Sequence, residues 1–122
     1  MAGILCLMHE PIAPVCQRYH RAVELIGRRW TGAIIQALLP GAARYAAIRE
    51  AIPDISDRML SERLRELEAE GLLTRQVFAD LPVRVEYALT DKGRALQPAL
   101  AAIGVWAERW VEPVGMGRAK AG

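Results

Sequence analysis

Four residues near the N-terminus carry ligand and nucleophile chemistry: Cys6, His9, Cys16 and His20, spaced C-x2-H-x6-C-x3-H. They are all of the chain's two cysteines and two histidines. Zinc accepts these ligand types. The central gap is short, however, and Pro11 and Pro14 stiffen it, so no metal is assigned. Cys16 offers a second chemistry. Arg18 and His20 lie close by in sequence and would favour its thiolate, the form that reacts with oxidants and electrophiles. A third reading is burial of a small apolar side chain at a helix start. Two thiols alone imply no structural disulfide.

A second concentration of chemistry lies in residues 54–73, DISDRMLSERLRELEAEGLL. Leu60, Leu64 and Leu67 mark one apolar helical face. On a 3.6-residue wheel Arg58, Glu62 and Arg65 point away from it, Met59 and Ser61 flank that outward face, and Arg63 lies nearer the core edge. Arginine can bond guanine in two places, glutamate can accept from cytosine N4, and a methionine can touch a thymine methyl. Ser56 and the helix N-terminus suit a phosphate. The same charges also fit an ordinary solvated helix. Three arginines stand against Asp57 and Glu62 in residues 57–65, whereas Glu66, Glu68 and Glu70 follow in the second half. Glu62 either accepts from a base or holds Arg58 or Arg65 in place.

Enzyme motifs are missing. The chain has no glycine-rich phosphate loop, no nucleophile elbow and no His-carboxylate metal set, so neither an enzyme nor a cofactor is expected. Its 122 residues, 52% hydrophobic and 25% charged, suit one folded domain and argue against disorder. No apolar run is long enough to span a bilayer, and the N-terminus lacks a basic signal-peptide region, so no membrane partner is expected and the cytoplasm is the expected compartment. The net charge of +2 permits a nucleic-acid partner without demanding one. Local clustering says more: residues 16–35 hold four arginines against Glu24.

These side chains need a scaffold. Residues 1–15 read as an irregular extension. A helix starts near Cys16, with Tyr19, Ala22, Val23 and Ile26 as its buried face, and Gly27 ends or bends it. A second helix runs from about Trp30 to Leu39, with Arg28 and Arg29 at its start, where an anion would offset their unfavourable position on the helix dipole. A short third helix, about Tyr45 to Ile52, stops at Pro53. Ser56 caps the fourth. The last two form a helix-turn-helix. LLTRQVFA and RVEYALT then read as two strands around the turn DLPV, with Asp80, Pro82 and Arg84 at the hairpin tip, where Arg84 is either a minor-groove or phosphate contact or a solvated turn residue. A final helix begins at Thr90 or Asp91 and kinks near Arg94 to Pro98. Its stripe of Leu96, Leu100, Ile103, Trp106 and Trp110 is longer than one small domain needs, so a homodimer interface is expected there, with the first helix contributing.

Three helices followed by a hairpin make a winged helix. The sequence also resembles the HxlR-type winged-helix regulators of bacteria, relatives of the MarR group. The likeness runs from about Cys16 to Trp110. It rests on CQRYHRAVELIGRRWTGAIIQALL, on ARYAAIREAIPDIS with its Arg44-Tyr45 pair, on RMLSERLRELEAEGLLTR and on LPVRVEYALTDKGRAL. The family's IGGKW-like turn reads IGRRW here, with Arg28 and Arg29 in place of glycine and lysine. Ala47 stands where an acidic residue is common. The resemblance implies a DNA-binding homodimer that controls nearby genes, and it supports Cys16 as a sensor, since some members respond to electrophiles or oxidants through an N-terminal cysteine.

The expected fold is therefore mainly α with a small β-hairpin: a winged helix-turn-helix over residues 16–111, with N- and C-terminal dimerisation helices and a flexible tail from residue 112. The expected function is sequence-specific DNA binding by a homodimeric repressor on a pseudo-palindromic operator in the bacterial nucleoid. Its contacts would be Arg29, Arg44, Ser56, Arg58, Met59, Ser61, Glu62, Arg63, Arg65 and Arg84, and a small-molecule inducer is a further expected partner. The competing reading is a winged-helix module that docks protein, which the acidic second half of the fourth helix would favour.

Overall fold

The computed structural model describes residues 13–113. The extension expected over residues 1–15, the tail from residue 112, and Cys6 and His9 lie wholly or largely outside that range. The chain runs α1 (Gln17–Ile26), α2 (Thr31–Leu38), β1 (Ala43–Arg44), α3 (Tyr45–Ala51), α4 (Asp57–Ala69), β2 (Leu73–Phe78), β3 (Arg84–Leu89), α5 (Asp91–Arg94) and α6 (Gln97–Trp110). No described helix is long and apolar enough to cross a membrane.

Apolar spacing builds the core. Ile34, Ile35 and Leu38 of α2, Ile48 of α3, and Leu60, Leu64 and Leu67 of α4 are all buried, and Ile52, Ile55, Leu72, Leu73 and Leu89 join them. Each element contributes one stripe, as an amphipathic helix or half-buried strand must. Local chemistry sets the ends of α4. The Ser56 hydroxyl accepts the Met59 N–H at 3.1 Å, satisfying a donor that the helix start leaves open. Gly71 adopts φ +80°. The Leu72 N–H then reaches the Leu67 carbonyl at 2.9 Å, and the Gly71 N–H the Glu68 carbonyl at 3.0 Å, the paired bonds of a Schellman turn.

The sheet has one strand more than the expected hairpin. β3 is central, in the order β1-β3-β2. β1 pairs antiparallel with it through Ala43↔Tyr87 and Arg44↔Glu86, and β2 through a register that sets Arg75 opposite Tyr87. The expected terminal kink is a full break at Ala95–Leu96 between α5 and α6. Pro98 lies in the first turn of α6, where its missing N–H leaves no helical bond unmade.

The first helix departs from expectation. Its apolar face is not covered by its own domain: Tyr19 is 49% and Val23 43% exposed, and no residue of α1 is buried. Periodicity identifies an apolar face but not the molecule that covers it. The α6 stripe divides in the same way. Leu96 and Leu100 pack on the core, whereas Ile103, Trp106 and Trp110 are exposed.

Candidate nucleic-acid interface

The helix-turn-helix is held at its turn by one tyrosine. The Tyr45 hydroxyl lies 3.1 Å from both the carbonyl oxygen and the carboxylate Oδ1 of Asp57 and can donate to either. Ser61 Oγ stands 3.4 Å from the same hydroxyl. Arg49 Nε donates to Asp57 Oδ1 at 2.8 Å. The start and the last turn of α3 thereby grip the first turn of α4. The Arg49 guanidinium, with the Tyr45 hydroxyl, holds the Asp57 carboxyl below the usual carboxylate range.

Arg58 and Arg65 project from α4 as exposed side chains, and neither forms an ion pair among the described residues. Glu62 is half-buried and pairs with neither of them. Arg44 is exposed at the cap position of α3. Ser56 is exposed, with its hydroxyl engaged as the α4 cap. Met59 is half-buried, and Ser61 is turned toward Tyr45. Arg29 is exposed, its guanidinium over the Trp30 ring at 4.9 Å.

Two arginines depart from the expected contact surface. Arg63 is buried, with 7% exposure. Its Nε donates to the Arg29 carbonyl at 2.9 Å, its Nη1 to Glu66 Oε1 at 2.7 Å, and its Nη2 to the Met59 thioether at 3.1 Å. All three arms of the guanidinium are used inside the protein, so Arg63 is a clamp there and not part of the exposed surface of α4. The wheel places it at the core edge; the turn between α1 and α2 then closes over it. Arg84 is also folded back. Its Nε donates to Glu86 Oε2 at 3.1 Å, its Nη1 bonds Asp80, and its plane sits 4.2 Å from the Phe78 ring centroid. The expected extended arginine at the wing is thus matched within its own hairpin.

The acids in the second half of α4 face this chain's own arginines. Arg21 of α1 pairs with Glu70 at 3.3 Å. Arg28, just after α1, pairs with Glu66 at 3.4 Å, the same carboxylate that takes Arg63. Of the charges on α4, Arg58, Glu62, Arg65 and Glu68 remain outside any ion pair among the described residues, and three of these lie on the outward face expected to meet DNA.

Cys16 stands at the cap position of α1, half-buried, and its carbonyl accepts the His20 N–H at 2.9 Å. The His20 imidazole faces Glu24, with Nε2 at 3.6 Å from the carboxylate. No group of three or more metal-ligating residues occurs among the described residues.

Comparison with known proteins agrees with this architecture. Residues 25–114 match the family model described as HxlR-like helix-turn-helix. The HTH-type transcriptional regulator YvaP of Bacillus subtilis (strain 168) is 48% identical over 99 residues, 81% of this chain and 92% of YvaP. YodB of the same organism, also an HTH-type transcriptional regulator, is 44% identical over 99 residues, 81% of this chain and 88% of YodB. The reduced form of YodB aligns with a TM-score of 0.74 at 43% identity, covering 84% of this chain and all of that one. YodB has also been solved diamide-treated and quinone-bound. The redox regulator HypR in its oxidised form aligns with a TM-score of 0.73 at 34% identity, covering 79% of this chain and 99% of that one. The relatives bear out the winged helix-turn-helix and the regulatory function: this chain belongs to the HxlR-like helix-turn-helix family of transcriptional regulators.

Proposed function

We propose that the chain acts as a homodimeric repressor that reads a pseudo-palindromic operator with the N-terminal half of α4. The observation that carries this reading is the sorting of charge along α4. Arg58 and Glu62 stand outward without ion-pair partners among the described residues, while Glu66 and Glu70 are matched by Arg21, Arg28 and Arg63. An outward arginine free of carboxylates can bond a base edge without first breaking an ion pair. Arg29, Arg44 and the α4 N-terminus at Ser56 supply phosphate contacts that position the helix but carry no sequence information. The protein-docking alternative drew on the acidic second half of α4, and two of its three carboxylates are occupied from within.

The exposed apolar faces of α1 and α6 support the homodimer. Trp106 is 60% and Trp110 63% exposed in the single chain, and covering each is worth about 1.5–3 kcal/mol or more. Two-fold pairing would place the two α4 helices in successive major grooves about one helical turn apart.

The signal is an oxidant or electrophile acting at Cys16. Its thiolate would add to an electrophilic carbon such as that of a quinone, or join a second thiol in a disulfide as diamide takes up the two electrons and two protons. Support comes from the position of Cys16 at the head of α1, one face of which is open to a second protomer, and from the diamide-treated and quinone-bound forms in which YodB has been solved.

Gel shifts on the DNA upstream of the gene test both parts. Arg58→Ala should abolish preference for that DNA over an unrelated duplex while the protein remains folded; retained preference sinks the α4 assignment. Diamide should release wild-type protein but not Cys16→Ser. Equal release of both removes Cys16 from the mechanism.

A further inference from the structure

Between α4 and the wing lies a cleft of about 370 Å³. Buried Leu64 lies at its base, half-buried Tyr45 and Tyr87 line it, and exposed Arg65, Glu68 and Arg75 complete it. Arg75 belongs to β2 and faces Tyr87 across the sheet. In sequence a lone arginine in a strand is indistinguishable from a solvated position.

Two arginines without a carboxylate partner meet in this cleft; Arg18, Arg29, Arg44, Arg58, Arg94 and Arg109 also lack one among the described residues, but none of them lines it. Arg21, Arg28, Arg49, Arg63 and Arg84 each have a carboxylate within 4 Å. Arg65 and Arg75, which sit on two different elements and line one concavity, have none among the described residues. Glu86 on the neighbouring strand is taken by Arg84, which leaves Glu68 as the cleft's own acid and a net charge of +1. Two unpaired guanidiniums with one acid make a site for an anion. The cleft borders the outward face of α4, so the anion at hand is the DNA backbone.

We propose that Arg65 and Arg75 form a clamp for one backbone phosphate at the seam between α4 and the wing. It holds the edge of the major groove while Arg58 reads within it. This rests on the DNA-binding reading of α4 and extends it to a strand residue. A phosphate contact is blind to sequence, and each phosphate neutralised adds about 0.9 to the slope of log affinity against log salt. Arg65 and Arg58 then have different duties: one positions the helix, the other reads a base.

The measurement is affinity for the operator fragment and for an unrelated duplex across a salt series, for wild type, R75Q, R75K, R65Q and E68Q. R75Q should weaken both duplexes by a similar factor, roughly tenfold, and reduce the slope by about one unit. R65Q should do the same, R75K should keep most of the slope, and E68Q should tighten both duplexes. Wild-type binding with a steep slope that R75Q and R65Q leave unchanged overturns the clamp alone. A loss confined to the operator also overturns it, because the arginine then reads sequence. If wild type shows no salt-dependent affinity for any duplex, the DNA reading of α4 fails and the clamp with it. Were R75Q to lose its cooperative melting, R65Q on the helix side decides by the same criteria.

Discussion

Arg63 of α4 donates from Nε to the carbonyl oxygen of Arg29 at 2.9 Å, tying this helix to a turn 34 positions earlier in the chain. The next residue in that turn, Trp30, holds φ +77°, a left-handed conformation that costs a non-glycine residue about 1–2 kcal/mol. The bond to the preceding carbonyl and the Arg29 guanidinium over the Trp30 ring help keep the turn in that shape.

Replacing Arg63 by methionine keeps an unbranched apolar stem and removes the guanidinium with its three hydrogen bonds. The Arg29 carbonyl loses its donor and Glu66 loses its shorter ion pair. The expected cost is about 2–4 kcal/mol, measured as a lower midpoint in urea with an unchanged slope. A midpoint equal to that of wild type would mean the clamp contributes nothing.

Asp57 gives the fold a small pH dependence. Its carboxyl titrates below the ordinary 3.8 because Arg49, then Tyr45, bonds the charged form. A depressed carboxylate stabilises the fold fully above its ordinary value, and that contribution fades as pH falls through the lower folded value. Asp57→Asn should therefore melt lower than wild type at pH 7, with the two melting curves drawing together as the pH drops below 3.8. The effect should be small, since the group is exposed. A gap that stays constant with pH would assign the loss to something other than charge.

Gly93 is needed for space. A Cβ there would fall 2.2 Å from the Leu72 carbonyl oxygen, which also accepts the Thr90 N–H at 3.0 Å. Gly93→Ala must push α5 off the turn between α4 and β2, at an expected cost of about 3 kcal/mol. Calorimetry should show a melting temperature lower by several degrees, and an alanine variant as stable as wild type would show that α5 relaxes freely.

Trp106 tests the pairing of protomers. It is exposed in the single chain, so Trp106→Glu should leave the protomer's fold intact. In the dimer it would bury a charge. Light scattering should find wild type at twice the chain mass and the variant at one chain mass, with operator affinity lost in parallel. A variant still at twice the chain mass would move the interface elsewhere.

Much of this could be read from sequence where the cause is local. The Ser56 cap, the Gly71 turn, the buried Leu60, Leu64 and Leu67, and the interruption near Pro98 follow from side-chain chemistry within a few residues. What escaped was decided at a distance. β1 is two residues long and exists through its register with β3. Arg63 lies at the margin of the helical wheel, and only the turn at Arg29 makes it interior. Arg84, expected at the wing tip, is the first residue of β3, and Phe78, Asp80 and Glu86 fold it back. The candidate contacts Arg58 and Arg65 were legible because they oppose the apolar face of α4. Arg75 was not, because its significance depends on a helix it touches only in three dimensions.

The ion pairs from Glu66 and Glu70 to Arg28 and Arg21 make α1 and the turn after it a built-in counter-ion to the recognition helix. Exposed pairs of this kind add little to stability. Their larger effect is on the field that DNA meets. With α1 and the turn after it in place, Glu66 and the cap residue Glu70 are both matched from outside α4; without them, Glu70 stands bare beside a polyanion and Glu66 keeps only Arg63. A shift of the helix headed by Cys16 would thus withdraw the positive charge of Arg21 from the end of α4 and, if the turn followed, that of Arg28 as well.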